Sequence, residues 1–261
     1  MVATDTKAMP TFTFELGSPL LSLHMKQQNN SQNHGTTVWD SAKVLAWYLA
    51  DTLKKPTFTV KDNCLQIQSN KTCLELGSGC GLGGLVAAAL GLDTVVTDLP
   101  NVVDNVLRTN CDENMWHISG WWHDLQQAQH YQASLPQPRL RVEYLDWFRL
   151  LESSNNETST KRYGSWIQSP YNYILAADCV YENELVRPLL MCIWQLASPT
   201  TIILIAMERR DDIVVNNFVQ HAKSLGFETR MIPKKSLRCK AVGNDDVEIW
   251  KLKKKRTDPT V

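Results

Sequence analysis

Five glycines and one carboxylate occur between Leu74 and Gly84, in the stretch LELGSGCGLGG. Apolar runs flank this stretch on both sides, a pattern that predicts a turn between a buried strand and a helix. Gly77 and Gly79 let the backbone approach a ligand closely, because glycine has no Cβ in the way. We therefore predict a ligand-binding turn, with a purely structural glycine turn as the alternative.

Two carboxylates distinguish between the ligands that such a turn can hold. Asp98 closes the next predicted strand, 21 residues after Gly77, where an acidic side chain can accept hydrogen bonds from the ribose hydroxyls of NAD or of S-adenosylmethionine. Glu75 stands before the glycines, where its charge would repel a pyrophosphate and would suit a ligand with an ammonium group. The spacing GxGxG also departs from the dinucleotide pattern GxGxxG. Both features favour a nucleoside without phosphate.

The elements that position these residues alternate regularly between strand and helix from Lys71 onward. Units of this length indicate an α/β fold, with a doubly wound, seven-strand, mostly parallel sheet and helices on both faces. Ligands of such sheets bind outside the carboxyl ends of the strands, where the strand order reverses. Before the sheet, residues 1–35 predict a small hairpin with a flexible extension, and an amphipathic helix begins at about Asp40. The main domain is expected to span 36–256, with a tail at 257–261.

Two polar or mixed segments, 115–139 and 152–170, interrupt the alternation. Because they contain proline, serine or asparagine, we expect both to be insertions outside the sheet. The first contains His117, His123 and His130. Their spacing matches no familiar zinc-ligand pattern, so we expect surface histidines and no metal site.

The composition argues against several classes of function. Lysine plus arginine (27) balances aspartate plus glutamate (27), so no overall field attracts nucleic acid or an anionic membrane. No apolar run approaches the roughly 20 residues that span a bilayer, and the N-terminus lacks the apolar core of a secretory signal. Seven cysteines without a CxxC pair indicate reduced thiols. We expect a monomer in the cytoplasm, with the nucleus as a second compartment.

Several motifs together resemble a known family: LELGSGCGLGG, VVTDLP, TVWDSAKVLAWYL, LDW and AADCVY. They are similar to motifs of the seven-strand, class I protein-lysine methyltransferases of the methyltransferase-21-like group, from about Gly35 to Lys253. The glycine turn alone is typical of methyltransferases in general, whereas its combination with the VWD and DxxY motifs is much more specific. The resemblance implies a Rossmann-like fold, S-adenosylmethionine as cofactor, and a protein substrate that presents a lysine, such as an ATPase, a chaperone or an elongation factor.

The resemblance also implies which residues bind the cofactor. Trp39 of the VWD motif would line the site, and Trp147 of LDW would place an apolar face beside the adenine; core packing is the alternative for both. The glycine turn would contact the methionine part, and Asp98 would hold the ribose. With Glu75 added on the charge argument, the predicted cofactor-binding residues are Trp39, Glu75, Gly77, Ser78, Gly79, Asp98, Trp147 and Ala177.

Asp178 and Tyr181 form the DxxY motif after the fourth strand of the sheet, beside the glycine turn. Methyl transfer from a sulfonium is an in-line displacement, for which placement of the nucleophile supplies much of the catalysis. A lysine must first lose a proton, because its ordinary pKa is about 10.4. We predict that Asp178 orients the amine and that Tyr181 lines the lysine channel and hydrogen-bonds the amine. Capping of the next helix is the alternative role for Asp178.

Glu208, in the segment AMERRDD after the fifth strand, is a further candidate for contacting a basic substrate. A surface salt bridge with Arg209 or Arg210 is the alternative. Other functions also stay open. The absence of prolines in the DxxY segment favours lysine over a nucleobase or a small molecule as the methyl acceptor. An NAD-dependent oxidoreductase would need a pyrophosphate at the turn, which Glu75 disfavours, and a non-catalytic binding module is a third alternative.

Overall fold

The computed structural model describes residues 6–28, 34–61, 64–67, 71–128, 136–153, 165–168 and 170–255. The strands of this part of the chain are β1 (Thr11–Leu16), β2 (Leu21–Lys26), β3 (Phe58–Lys61), β4 (Cys64–Ile67), β5 (Thr72–Leu76), β6 (Asp93–Asp98), β7 (Leu140–Tyr144), β8 (Tyr173–Ala177), β9 (Ile202–Glu208), β10 (Phe227–Met231) and β11 (Val247–Lys254). Its helices are α1 (Asp40–Thr52), α2 (Leu82–Ala89), α3 (Pro100–Val102), α4 (Arg108–Ala128), α5 (Trp147–Ser153), α6 (Asn183–Leu196), α7 (Asp212–Ser224) and α8 (Cys239–Val242). A π-helical segment, Val103–Leu107, lies between α3 and α4.

The main sheet contains seven strands in the order β10-β11-β9-β8-β5-β6-β7. β5 pairs in parallel with β6 and β8, which pair in parallel with β7 and β9. β11 runs antiparallel to β9 and β10. The predicted doubly wound, mostly parallel sheet is therefore confirmed. Because the strand order reverses beside β5, the carboxyl ends of β5, β6 and β8 meet at one crevice.

The pleat of β5 divides its side chains between two layers of helices. Leu74 and Leu76 are buried in the core that includes side chains of α6 and α7. Cys73 points to the opposite face and belongs to the core that includes side chains of α1, α2 and α4. Since side chains alternate along a strand, Glu75 shares the face of Cys73.

The first two strands form the predicted N-terminal hairpin, which two asparagines of α4 attach to the domain. Asn114 Oδ1 accepts the N–H of His24 at 2.7 Å, and Asn114 Nδ2 donates to the His24 carbonyl at 2.8 Å. Asn110 makes the same pair with Lys26, at 2.8 and 3.0 Å. The two amides bond the edge of β2 as a neighbouring strand would. Part of the predicted flexible extension, 29–33, lies outside the described residues.

The segment 115–139 is not an insertion in its first part, because α4 continues to Ala128. Ile118, Trp121, Trp122 and Leu125 are buried, and their spacing of three or four residues places them on one face of the helix. Ser119, Gly120, His123 and Asp124, which lie between these positions, disguise the apolar period in the sequence. Residues 129–135, and most of the segment 152–170, lie outside the described residues. A hairpin of β3 and β4 was not predicted.

Three further observations concern the described residues as a group. Six of their cysteines are free and buried, namely Cys73, Cys80, Cys111, Cys179, Cys192 and Cys239. No cluster of histidine, cysteine and acidic side chains among them could hold a metal ion. Within the same part of the chain, the helices are too short or too polar to span a membrane.

Candidate active site

A cleft of about 760 Å³ opens at the carboxyl ends of the parallel strands. It lies beside β5, where the strand order reverses, which is the position expected for a ligand of an open α/β sheet. Its volume falls within the range of small-molecule sites, about 300–1,000 Å³. The predicted site residues that line it are Trp39, Gly77, Ser78, Gly79, Asp98, Trp147, Ala177, Asp178 and Tyr181.

The glycine turn needs glycine for both conformation and space. Gly77 and Gly79 have φ angles of 58° and 56°, in the left-handed region that side chains disfavour. A Cβ on Gly77 would lie 2.6 Å from Cys179 Sγ and 3.1 Å from the ring of Trp147. A Cβ on Gly79 would lie 3.0 Å from the carbonyl oxygen of Gly35. The wall of the cleft is therefore bare backbone at these positions.

Ser78 and Asp98 join the turn to β6. The Ser78 N–H donates to the Thr97 carbonyl at 2.9 Å, and Ser78 Oγ accepts the Thr97 N–H at 3.0 Å. Asp98 accepts the N–H of Gly79 at 2.8 Å and the N–H of Leu99 at 2.7 Å. Burial raises the pKa of Asp98 to about 6, although these two donors lower it. At neutral pH the carboxylate is therefore mostly ionised and can accept hydrogen bonds from a diol.

Glu75 is the one predicted cofactor residue that the structure does not bring to the cleft. The pleat of β5 turns its side chain toward α2, where it is buried and accepts the N–H of Gly84 at 2.9 Å. A Cβ on Gly83 would lie 2.2 Å from Glu75 Oε1, so glycine here makes room for the carboxylate. Burial raises the pKa of Glu75 to about 7, against the lowering effect of the hydrogen bonds from Gly84 and Ser78. The predicted contact with a ligand's ammonium group does not fit this position.

Aromatic and apolar side chains form the other walls of the cleft. Trp147 begins α5 and packs against the turn at Gly77. Trp39 precedes α1, and the guanidinium of Arg210 lies 5.0 Å from its ring centroid, a cation–π geometry. These walls suit a planar, largely apolar group such as a purine. Further apolar lining residues are Val38, Leu82, Val102, Leu145 and Phe148.

Asp178 has a strained backbone directly after β8. Its φ of 57° is uncommon for a residue other than glycine and costs on the order of 1–3 kcal/mol. Its N–H donates to the Ala206 carbonyl at 2.9 Å, and its buried carboxylate accepts from Arg210 Nη2 at 2.8 Å. The same nitrogen donates to Glu208 at 2.7 Å. The salt bridge considered as the alternative for Glu208 is thereby confirmed.

Tyr181 lies at the rim of the cleft, with 42% of its surface exposed. Burial of the remainder raises the pKa of Tyr181, so the phenol keeps its proton at neutral pH and can donate or accept a hydrogen bond. The next helix, α6, has Glu182 at its N-cap. The alternative role of Asp178 as a helix cap is therefore wrong.

Gly35 and Arg210 are two of the lining residues that the sequence analysis did not assign to the site. A Cβ on Gly35 would lie 2.8 Å from Val102 Cγ2, so close packing explains the glycine just before the VWD motif. Arg210 was considered only as a partner of Glu208. Nothing in the sequence links it to Asp178, 32 residues away, because the contact depends on the parallel pairing of β8 and β9.

Comparisons with known proteins agree with this geometry. A sequence profile of a family described as "Lysine methyltransferase" matches residues 19–224. The chain is 32% identical over 192 residues to protein-lysine methyltransferase METTL21E of Mus musculus, a match that covers 74% of this chain and 63% of that protein. It is 29% identical over 189 residues to protein N-lysine methyltransferase METTL21A of Xenopus tropicalis, covering 72% and 67%. The matches span 53% to 63% of the length of the first curated relatives.

Two solved structures with similar folds are named as methyltransferases. A methyltransferase from Pyrococcus furiosus is 12% identical, with a TM-score of 0.50 and coverage of 89% of this chain and 90% of that chain. The glycopeptide N-methyltransferase MtfA is 11% identical, with a TM-score of 0.50 and coverage of 84% and 91%. At these identities the similarity concerns the fold alone, and it agrees with the seven-strand sheet.

Proposed function

The chain belongs to the lysine methyltransferase family, and on this premise we propose that it transfers a methyl group from S-adenosylmethionine to a lysine side chain of a protein substrate. The observation that carries the proposal is the position of Asp178. A strained backbone holds this carboxylate on the same cleft as the glycine turn and Asp98. An acceptor amine bound by Asp178 would therefore lie beside a nucleoside bound by Asp98.

The residues of the cleft fit S-adenosylmethionine. Asp98 suits the ribose hydroxyls, Trp147 the adenine, and the bare backbone of Gly77 and Gly79 the methionine part. Glu75 already accepts the N–H of Gly84 in the first turn of α2, a donor that a phosphate at a helix N-terminus would use. The fit therefore favours a nucleoside without phosphate. When bound, S-adenosylmethionine would supply a methyl group on a sulfonium; an amine can attack the methyl carbon in line, with S-adenosylhomocysteine as the leaving group.

The residues of the chain have to bind the lysine ammonium, let it lose a proton and aim the lone pair. The buried carboxylate of Asp178 binds and orients the nitrogen, because opposite charges attract strongly where water is excluded. Tyr181 keeps its phenolic proton and forms the wall of the lysine channel at the exposed rim. The proton of the ammonium passes to water at this rim, and the neutral amine is then the nucleophile.

Labelled-cofactor methylation tests the proposal directly. The full chain is incubated with S-adenosylmethionine that carries a labelled methyl group and with a lysate from cells that lack this protein. Mass spectrometry of the labelled band should locate the methyl on a lysine. Label in small molecules or nucleic acid alone would overturn the proposed substrate class. Thermal stabilisation by NAD but not by S-adenosylhomocysteine would overturn the cofactor.

Asp178→Asn separates the methyl-transfer step from cofactor binding. Asparagine tolerates the left-handed backbone, so the fold should be retained. We expect the turnover number to fall by about 100- to 1,000-fold, while the affinity for S-adenosylhomocysteine, measured by calorimetry, changes by less than about threefold. Asp212→Asn, at an exposed position in α7, is the matched control and should keep full activity. Wild-type turnover of Asp178→Asn would contradict the role of Asp178.

The cellular setting is part of the same proposal. We infer a cytoplasmic monomer, with the nucleus as a second compartment, that contacts neither membranes nor nucleic acid. Six free, buried cysteines among the described residues support a reducing compartment, and the balanced charge supports the lack of nucleic-acid contact. Light scattering after gel filtration and imaging of the tagged chain test these points, and a secreted or dimeric protein would contradict them.

A further inference from the structure

Arg210 joins the carboxyl ends of two strands within the cleft. Its Nη2 donates to Asp178 at 2.8 Å and to Glu208 at 2.7 Å, and its guanidinium lies over the ring of Trp39. Burial lowers the pKa of Arg210, but the ion pairs with the two carboxylates raise this pKa by more than burial lowers it. The net shift is therefore upward. The arginine is therefore a fixed positive charge beside the carboxylate that would bind the acceptor amine.

The charges of this cluster match a single ammonium group. Asp178 and Glu208 each carry one negative charge and Arg210 carries one positive charge, which leaves one negative charge for a lysine to neutralise. Without Arg210, Asp178 in the cleft and Glu208 beside it would be two uncompensated carboxylates near the ammonium. Opposite charges within about 4–6 Å stabilise the charged form of an amine and raise its pKa. Methyl transfer requires the neutral form, so excess negative charge would hinder it.

We propose that Arg210 is a positioning residue, which holds the Asp178 carboxylate in place and offsets enough negative charge for the bound lysine to lose its proton. The inference rests on the proposed function and adds to it the group that sets the protonation of the acceptor. It also gives Glu208 a role, as the second carboxylate that anchors the guanidinium. The proposed reaction is still lysine methylation. Arg210, Asp178 and Glu208 together would set the pH range in which it proceeds.

Other charged and titratable groups face the same cleft among the described residues. They are Lys7, whose amine lies 5.7 Å from the ring centroid of Trp39, and the lining residues Asp98, Asp146, Cys179, Tyr181 and Glu182. The pKa values of Cys179 and Tyr181 are raised by burial, so both stay protonated near neutral pH. Asp98, with a pKa of about 6, and Glu75, with a pKa of about 7, titrate in every variant. The difference between variants in the midpoint of the pH profile of methylation therefore reports on the acceptor amine, whereas the absolute midpoint also contains these other titrations.

The test is the pH profile of methylation from about pH 6 to 9.5, a range that covers the expected shift of a lysine. The initial rate of label transfer to the lysine-bearing band of the knock-out lysate is measured with saturating S-adenosylmethionine. For Arg210→Gln we expect the midpoint of the rise to move up by about one pH unit. The rate should then fall by about tenfold near pH 7 and recover to within about threefold at high pH.

Compensating variants make the test specific to charge. Glu208→Gln with Arg210→Gln restores a single negative charge and should return the midpoint to the wild-type value. Arg210→Lys keeps the charge and should leave the midpoint unchanged. Glu208→Gln alone should move the midpoint down, and it serves as the test if Arg210→Gln does not fold. Arg209→Gln is the matched control, because Arg209 pairs with Glu248 and Asp212 outside the cleft.

The outcomes separate this inference from the proposed function. A uniform loss of rate at every pH in Arg210→Gln would show a structural role only and would overturn the inference. An unmoved midpoint in Glu208→Gln, or a double variant that keeps the shifted midpoint, would do the same. If the wild-type protein methylates no lysine, the proposed function itself is wrong. Melting temperatures of all variants confirm that folded proteins are compared.

Discussion

The two halves of the cleft hold their carboxylates in different ways. In the glycine half, formed by the turn after β5 and the end of β6, Asp98 accepts hydrogen bonds from the backbone N–H groups of Gly79 and Leu99. In the arginine half, formed by the ends of β8 and β9, Asp178 and Glu208 share the guanidinium of Arg210. Backbone N–H donors are uncharged and are held in place by the conformation of the chain. A guanidinium carries a positive charge, which shifts the pKa values of neighbouring groups. We therefore expect the glycine half to control binding and the arginine half to control protonation.

The largest effect on binding is expected from Gly77→Ala. The added Cβ would lie 2.6 Å from Cys179 Sγ and would force a side chain into a φ of +58°. Strain of on the order of 1–3 kcal/mol, added to this clash, should weaken S-adenosylhomocysteine binding by about 100-fold in calorimetry. Gly120→Ala is the control, because a Cβ there meets nothing within 4 Å. Unchanged affinity of Gly77→Ala would show that the glycine half does not depend on a bare backbone.

A smaller loss of binding is expected from Asp98→Asn. Removing a charged acceptor for the ribose hydroxyls should weaken S-adenosylhomocysteine binding by about 10- to 100-fold at pH 8. Because the pKa of Asp98 is about 6, protonation removes the same acceptor, so wild-type affinity should fall as the pH drops through about 6. The affinity of the variant should stay nearly constant over this range.

Asp93→Asn provides the control for Asp98→Asn, because Asp93 begins the same strand at the opposite end from the cleft. Its affinity for S-adenosylhomocysteine should equal that of the wild type at each pH. A parallel pH dependence in Asp98→Asn and the wild type would assign the titration to another group.

The smallest effect on binding is expected from Glu75→Gln, whose side chain lies outside the cleft. Affinity for S-adenosylhomocysteine should change by less than about twofold. A large loss would support the contact between Glu75 and the ligand's ammonium group that the sequence predicted. Stability should respond instead. Because the folded pKa is raised from 4.5 to about 7, stability from this group is complete below about pH 4.5 and is lost as the pH rises through about 7.

Urea unfolding measures this effect on stability. Between about pH 4.5 and 8, the free energy of unfolding of the wild type should fall relative to Glu75→Gln by on the order of 3 kcal/mol, at about 1.4 kcal/mol per pKa unit. Glu228→Gln is the control, at an exposed position in β10. Its difference from the wild type should not vary with pH. A constant difference for Glu75→Gln as well would show that the buried carboxylate does not titrate in this range.

Much of the glycine half was predictable because its parts are close in sequence. The turn and Asp98 belong to one strand-turn-helix-strand unit, so their spacing alone places them together. The face of Glu75 was not predictable from its type, since charge suggests exposure while the pleat of β5 points the side chain under α2. The continuation of α4 to Ala128 was missed for a related reason, because polar residues conceal the apolar period of Ile118, Trp121 and Leu125.

The sequence by itself determined the seven-strand sheet, the glycine turn after β5 and the placement of Asp178 after the fourth strand. These features follow from local periodicity, glycine conformation and the rule that parallel strands present their carboxyl ends together. Only the tertiary structure decided that Glu75 accepts the N–H of Gly84 and that Arg210 bridges Asp178 and Glu208. Such contacts depend on the packing of separate elements and on side-chain directions, which residue types and spacing do not specify.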